Sequence, residues 1–180
     1  MKFLKIIMTL SLALTFTLNL QPASADRLFT LQYSAGDSSE AHLLGLGFYN
    51  TDAKLYFNSR ITMAPEPHYD ALNINSFGDP VRSRFNDWMI LNVGTVTNLG
   101  QSISGYFGVG YSSGEGKARK HDPDFILASD GKYFVDDPVN DTSDVNFNAG
   151  LLFKISGKWI AEVGYDTTPG IMYFGGGTKF

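Results

Sequence analysis

The stretch Ile171-Met172-Tyr173-Phe174-Gly175-Gly176-Gly177-Thr178-Lys179-Phe180 is strand-like and stops on an aromatic residue. The ends of soluble domains are normally polar and frayed. Taken in twos, Phe180, Thr178, Gly176, Phe174 and Met172 share one face, while Lys179, Gly177, Gly175 and Tyr173 share the other. A strand with an apolar face, a small or polar face and a terminal aromatic is what closes a transmembrane β-barrel. The competing assignment is a buried edge strand of a secreted sandwich. The rest of the chain decides between them.

Residues 1–25 read as a secretory signal. Lys2 and Lys5 give the positive start, Ile6 to Leu20 the apolar run, and Ala23-Ser24-Ala25 the small-residue cleavage site. No later run approaches the ~20 apolar residues that a spanning helix needs. Removing 1–25 takes two lysines and no acids from 14 basic and 18 acidic residues, leaving 12 against 18, a net charge of −6. Nucleic-acid binding needs a basic surface, so that class is excluded. There is no cysteine, which removes disulfides and thiolate chemistry. Residues 26–180 form one domain, whose 19 glycines and many aromatics suit a β-protein with one face in lipid and one in water.

Eight alternating segments follow in order: Leu28–Ala35, His42–Tyr49, Lys54–Met63, Trp88–Thr97, Ser102–Tyr111, Asp144–Ile155, the run from Trp159 to Asp166, and the final strand. The third can be phased by energy. Lys54, Tyr56, Asn58 and Arg60 alternate with Leu55, Phe57, Ser59 and Ile61. A basic residue on the lipid face costs up to ~2–4 kcal/mol near the midplane, so the first set points inward. Connections after strands two, four and six are tight, and the long ones, Ala64–Asn86 and Ser112–Ser143, lie at the other end. Short periplasmic turns with longer outer loops are the outer-membrane arrangement. A soluble lipocalin-like barrel would reverse the faces. The fold expected is an all-β, eight-stranded antiparallel transmembrane up-and-down β-barrel.

On these segments the chain resembles the small eight-stranded outer-membrane proteins, such as the OmpX, OmpA-barrel and opacity-type families. The likeness is architectural and covers residues 26–180. Its one motif is the C-terminal assembly signal of that class, matched by Gly175 and Phe180, with Tyr173 at the polar position. Thr178 stands where a hydrophobic residue is usual. The resemblance implies outer-membrane localisation and a terminal aromatic read by the outer-membrane assembly machinery.

An eight-stranded barrel is just wide enough inside for side chains. Lys54, Arg60, Lys154, Glu162, Asp166 and Lys179 are expected there as a charge network, since unpaired buried charge is costly. A proton or ion path is the functional alternative. In the longest loop, Lys117, Arg119 and Lys120 form a basic cluster suited to lipopolysaccharide phosphates. Asp130-Gly131, between Phe125–Ala128 and Lys132–Val135, signals a protruding hairpin. Asp136, Asp137, Asp141 and Asp144 lack the spacing of a calcium loop, and His68 and His121 stand alone, so no metal site is expected. Asp37, Ser38 and His42 are hydrolase residue types without a matching motif.

These features point to a non-enzymatic, monomeric outer-membrane protein without a cofactor. Its partners would be outer-membrane lipid and lipopolysaccharide, met through surface-exposed loops. A lipid A-modifying enzyme and a narrow solute pore are the alternatives.

Overall fold

The computed structural model describes residues 27–35, 41–63, 75, 78–127 and 129–180. The signal segment and the Asp37-Ser38 pair lie outside them. Nine strands are present among the described residues: β1 (Arg27–Ala35), β2 (His42–Asn50), β3 (Leu55–Thr62), β4 (Val81–Asn98), β5 (Ile103–His121), β6 (Lys132–Asp136), β7 (Thr142–Ser156), β8 (Trp159–Asp166) and β9 (Ile171–Lys179). They run in the order β4-β3-β2-β1-β9-β8-β7-β5-β6, and β4 also pairs with β5. That pairing closes eight strands into a barrel and leaves the short β6 outside the ring. Every neighbouring pair is antiparallel.

The alternation sorts side chains by face. Leu31, Val93, Phe107, Phe147, Met172 and Phe174 stand exposed on the outside. Their neighbours Thr30, Asn92, Tyr106, Asn146 and Tyr173 are buried within. An apolar exterior around a polar interior inverts a soluble barrel and is the membrane pattern. Two apolar layers cap the interior. Leu28, Val96, Leu152 and Ile160 close the tight-turn end together with four tyrosines. Leu43, Trp88, Ile90 and Ile171 close the other.

Two strands run well beyond their sequence-based limits. β4 starts at Val81, seven residues before Trp88, and β5 continues to His121, ten residues past Tyr111. Val81 to Asp87 pair with Lys120 to Glu115, interrupted by a bulge between Val81 and Ser83. β7 leaves β5 at Gly114↔Thr142, and β6 takes its place from Lys117↔Asp136 to His121↔Lys132. The outcome is a three-stranded limb. At about 3.3 Å per residue, seven residues of β5 carry it about 23 Å along the strand beyond β7.

Two expectations are thereby corrected. Strand five does continue outward, as expected, but the strand that returns beside it is the separate β6, whose Lys132–Asp136 pairs with Lys117–His121. Gly131 still turns the chain, at φ +69°. Lys54 lies in the turn before β3, in a left-handed conformation (φ +54°), and is exposed. Its carbonyl, accepting from Thr95 Oγ1 at 2.8 Å and Val96 N at 3.3 Å, stitches that turn to β4. Lys54 therefore belongs to the rim and not to the interior charge network.

Candidate functional site

The interior is built from two carboxylates, one guanidinium and a set of tyrosines and amides. Glu162 and Asp166 lie four residues apart on β8, so the period of two puts both on the inward face. Arg60 comes from β3, four strands away around the ring in either direction. Its guanidinium reaches across the barrel to the Asp166 carboxylate, both side chains fully buried. A second arm donates to Gln32 Oε1 at 2.7 Å. The cation also sits 3.7 Å over the Tyr173 ring, a favourable cation–π geometry.

Asp166 Oδ1 accepts from Asn146 at 2.6 Å, Asn148 at 2.9 Å and Asn92 at 3.1 Å. Further amide bonds tie Asn92 to Asn58 and Asn146 to Asn92. Glu162 is satisfied differently. Hydroxyls of Thr30, Tyr49 and Tyr106 and the amide of Gln32 all donate to it. Tyr106 and Tyr173 join hydroxyls at 2.7 Å, and Asn148 donates to Tyr173 at 2.9 Å, linking the two carboxylate clusters. Each buried anion thus has several donors, the condition for its tolerance in a low dielectric.

Glycines make this packing possible. A Cβ on Gly164 would sit 2.2 Å from Tyr173 Cζ and 2.4 Å from the Tyr106 hydroxyl. On Gly150 it would meet the same Tyr106 hydroxyl at 2.2 Å. The two glycines pair across β7 and β8, forming a bare strip of wall on which two tyrosine rings lie.

Of the six charges expected inside, Arg60, Glu162 and Asp166 come together. Lys154 and Lys179 occupy the turn-end rim, half-buried, opposite Ile160 and Leu28. Asn58 was placed inward from the sequence together with Arg60, whereas Thr30, Gln32, Tyr49, Asn92, Asn146 and Asn148 were not singled out there. Their signal is available in retrospect: each is a polar residue on the inward phase of a membrane strand.

The basic cluster of the limb is engaged within it. Lys117 pairs with Asp136 at 2.6 Å, Lys120 is 1% exposed, and Arg119 is half-exposed. Arg84 pairs with Asp137 at 3.0 Å, and Asp141 accepts from Gly116 N at 2.7 Å. Ala118, Tyr133 and Val135 form a small core of their own. The Tyr133 hydroxyl donates to Asp79 at 2.7 Å, and burial, then that bond, hold the phenol protonated above its ordinary range. On the outside, His42 Nδ1 and the Tyr33 hydroxyl lie 2.9 Å apart. Gly175 faces inward beside Glu162, and Phe180 is exposed, its N–H donating to Arg27 O at 3.0 Å.

A closed antiparallel ring of eight strands, apolar outside and polar inside, defines a small outer-membrane-type β-barrel. Known structures are similar to it. The outer membrane protein Ail of Yersinia pestis, determined in a phospholipid bilayer nanodisc, is 14% identical with a TM-score of 0.51, over 87% of this chain and 100% of that one. The N-terminal β-barrel domain of Pseudomonas aeruginosa OprF is 12% identical (TM-score 0.48; 87% and 100% covered). A de novo designed transmembrane β-barrel is 11% identical (TM-score 0.49; 89% and 100%). At 14% identity the likeness to Ail is one of fold. No family model and no curated protein matches the chain.

Proposed function

We propose that this protein is a non-enzymatic barrel of the outer membrane that holds the β4–β5–β6 limb at the cell surface to contact lipopolysaccharide or another envelope component. The observation that carries this reading is the contrast between the two parts. The lumen is packed by apolar layers and a hydrogen-bonded middle, which favours a sealed scaffold over a solute pore. The limb has its own small core and internal ion pairs, so it is a built element. Tight turns then face the periplasm, and Tyr173, Gly175 and Phe180 serve the assembly machinery. Within the basic cluster, Arg119 is the member best placed for phosphate, since Lys117 and Lys120 are buried.

The test is binding of folded protein to immobilised lipopolysaccharide at low and high salt. Wild type should bind in a salt-sensitive way, and a form lacking residues 116–141 should lose most of that binding. Equal binding by the limbless form would refute the limb as the contact element. Mass spectrometry of lipid A with and without the protein should show no change, and a new acyl pattern would favour an enzyme instead.

A further inference from the structure

The charges of the barrel are sorted by end. Among the described residues, the tight-turn end carries the side chains of Arg27, Lys54, Lys154, Lys158 and Lys179 against the single acidic side chain of Asp52, a side-chain balance of +4. Between 79 and 144, at the limb end, six Lys and Arg face ten Asp and Glu, a net −4. A chain that is negative as a whole thus presents a positive rim at one end.

That rim has a repeated construction. Lys54-Leu55, Lys154-Ile155, Lys158-Trp159 and Lys179-Phe180 each place a cation immediately before an outward, exposed apolar residue. Leu55 is 42% exposed, Ile155 67%, Trp159 69% and Phe180 60%. The apolar members continue the outer belt, and the cations lie at or inside its edge. Long cationic side chains keep their heads at the polar boundary while their stems lie on apolar surface, and tryptophan settles at the same level.

We propose that this collar of cation–apolar pairs is a binding surface for anionic phospholipid headgroups, the phosphodiester class exemplified by phosphatidylglycerol. The inference rests on the membrane reading above and adds to it a lipid preference at one leaflet. Geometry favours lipid over a soluble acidic partner. The connecting turns are short, and half of the collar is apolar and continuous with the surface that faces acyl chains. Lys154, Lys158 and Lys179 belong to the adjacent strands β7, β8 and β9 and their turn, and neighbouring charges add their fields over a Debye length of about 10 Å at 0.1 M salt.

Trp159 sits in the collar as a reporter, whereas the chain's other tryptophan, Trp88, is buried inside the barrel. The full folded protein is reconstituted in phosphatidylcholine bilayers containing brominated phosphatidylglycerol or brominated phosphatidylcholine, and quenching of Trp159 gives the relative association of each lipid. Phosphatidylglycerol should be preferred roughly fivefold or more at 50 mM salt, the effect of about one cation at an anionic surface. The preference should shrink toward unity at high salt. The Lys54→Gln/Lys158→Gln variant, altered only at exposed turn residues, should lose at least half of it, while Arg82→Gln in the limb should keep it. Equal quenching by the two lipids in wild type, or an unchanged ratio in the double variant, overturns the proposal alone. No quenching by either lipid overturns the membrane reading as well.

Discussion

Arg60 and Asp166 meet across the barrel from strands half a circumference apart, and neither side chain reaches solvent. The pair acts as a strut between opposite walls. Its partners extend it: Gln32 and Tyr173 on the arginine, three asparagines on the aspartate.

Removing the cation alone should therefore be severe. Arg60→Met leaves Asp166 buried without its counter-charge, a change that costs about 3–5 kcal/mol. Arg60→Lys should recover little, because one ammonium cannot span Asp166, Gln32 and the Tyr173 face together. Adding Asp166→Asn to Arg60→Met should restore at least half of the loss, since the amide oxygen still accepts from the asparagines. Urea midpoints of the barrel folded in vesicles check all three. Additive losses in the double variant would mean that the two groups are not coupled.

How much of this was legible depends on what pattern a residue belongs to. The membrane strands announce themselves by period-two alternation, as in Val145, Phe147, Ala149, Leu151 and Phe153 against Asn146, Asn148 and Gly150. The limb strands do not. Gly116-Lys117-Ala118-Arg119-Lys120-His121 has no apolar face, and it is a strand because β4 and β6 pair with it on both edges. The interior charges were legible as residue types on the inward phase. Their pairing was not, because Arg60 and Asp166 are 106 residues apart and register around a closed ring brings them together. Lys54 was misplaced for a local reason. Its left-handed backbone makes the alternation begin one residue later, at Leu55.

The limb and the wall should separate cleanly. β5 and β7 remain paired from Ile103↔Phe153 to Gly114↔Thr142 without any residue of 116–141. Joining Glu115 to Thr142 through a short glycine-containing turn should leave a barrel that still migrates differently on gels before and after boiling. Closed rings resist opening because no edge is free. Val81 to Asn86 would lose their β5 partners and should become protease-sensitive in that variant. Loss of the heat-dependent shift would show that the limb is part of the wall.

A last expectation concerns two glycines that differ only in what lies above them. A methyl group on Gly164 would press into both Tyr173 and Tyr106, whose hydroxyls bond to each other and, for Tyr106, to Glu162. Neither ring has room to retreat, so Gly164→Ala should cost about 1–3 kcal/mol by overpacking. Gly176 faces outward, and a Cβ there meets nothing within 4 Å. Gly176→Ala should be neutral or stabilising by up to about 1 kcal/mol, since alanine has less freedom to lose on folding. Both residues sit in the same pair of strands, Gly164 opposite Tyr173 and Gly176 opposite Ala161, so strand propensity is matched. Paired urea titrations in vesicles distinguish them. If the two variants unfold at the same concentration, the tyrosine rings do not rest on a glycine wall, and the packed middle of the barrel is looser than its hydrogen bonds imply.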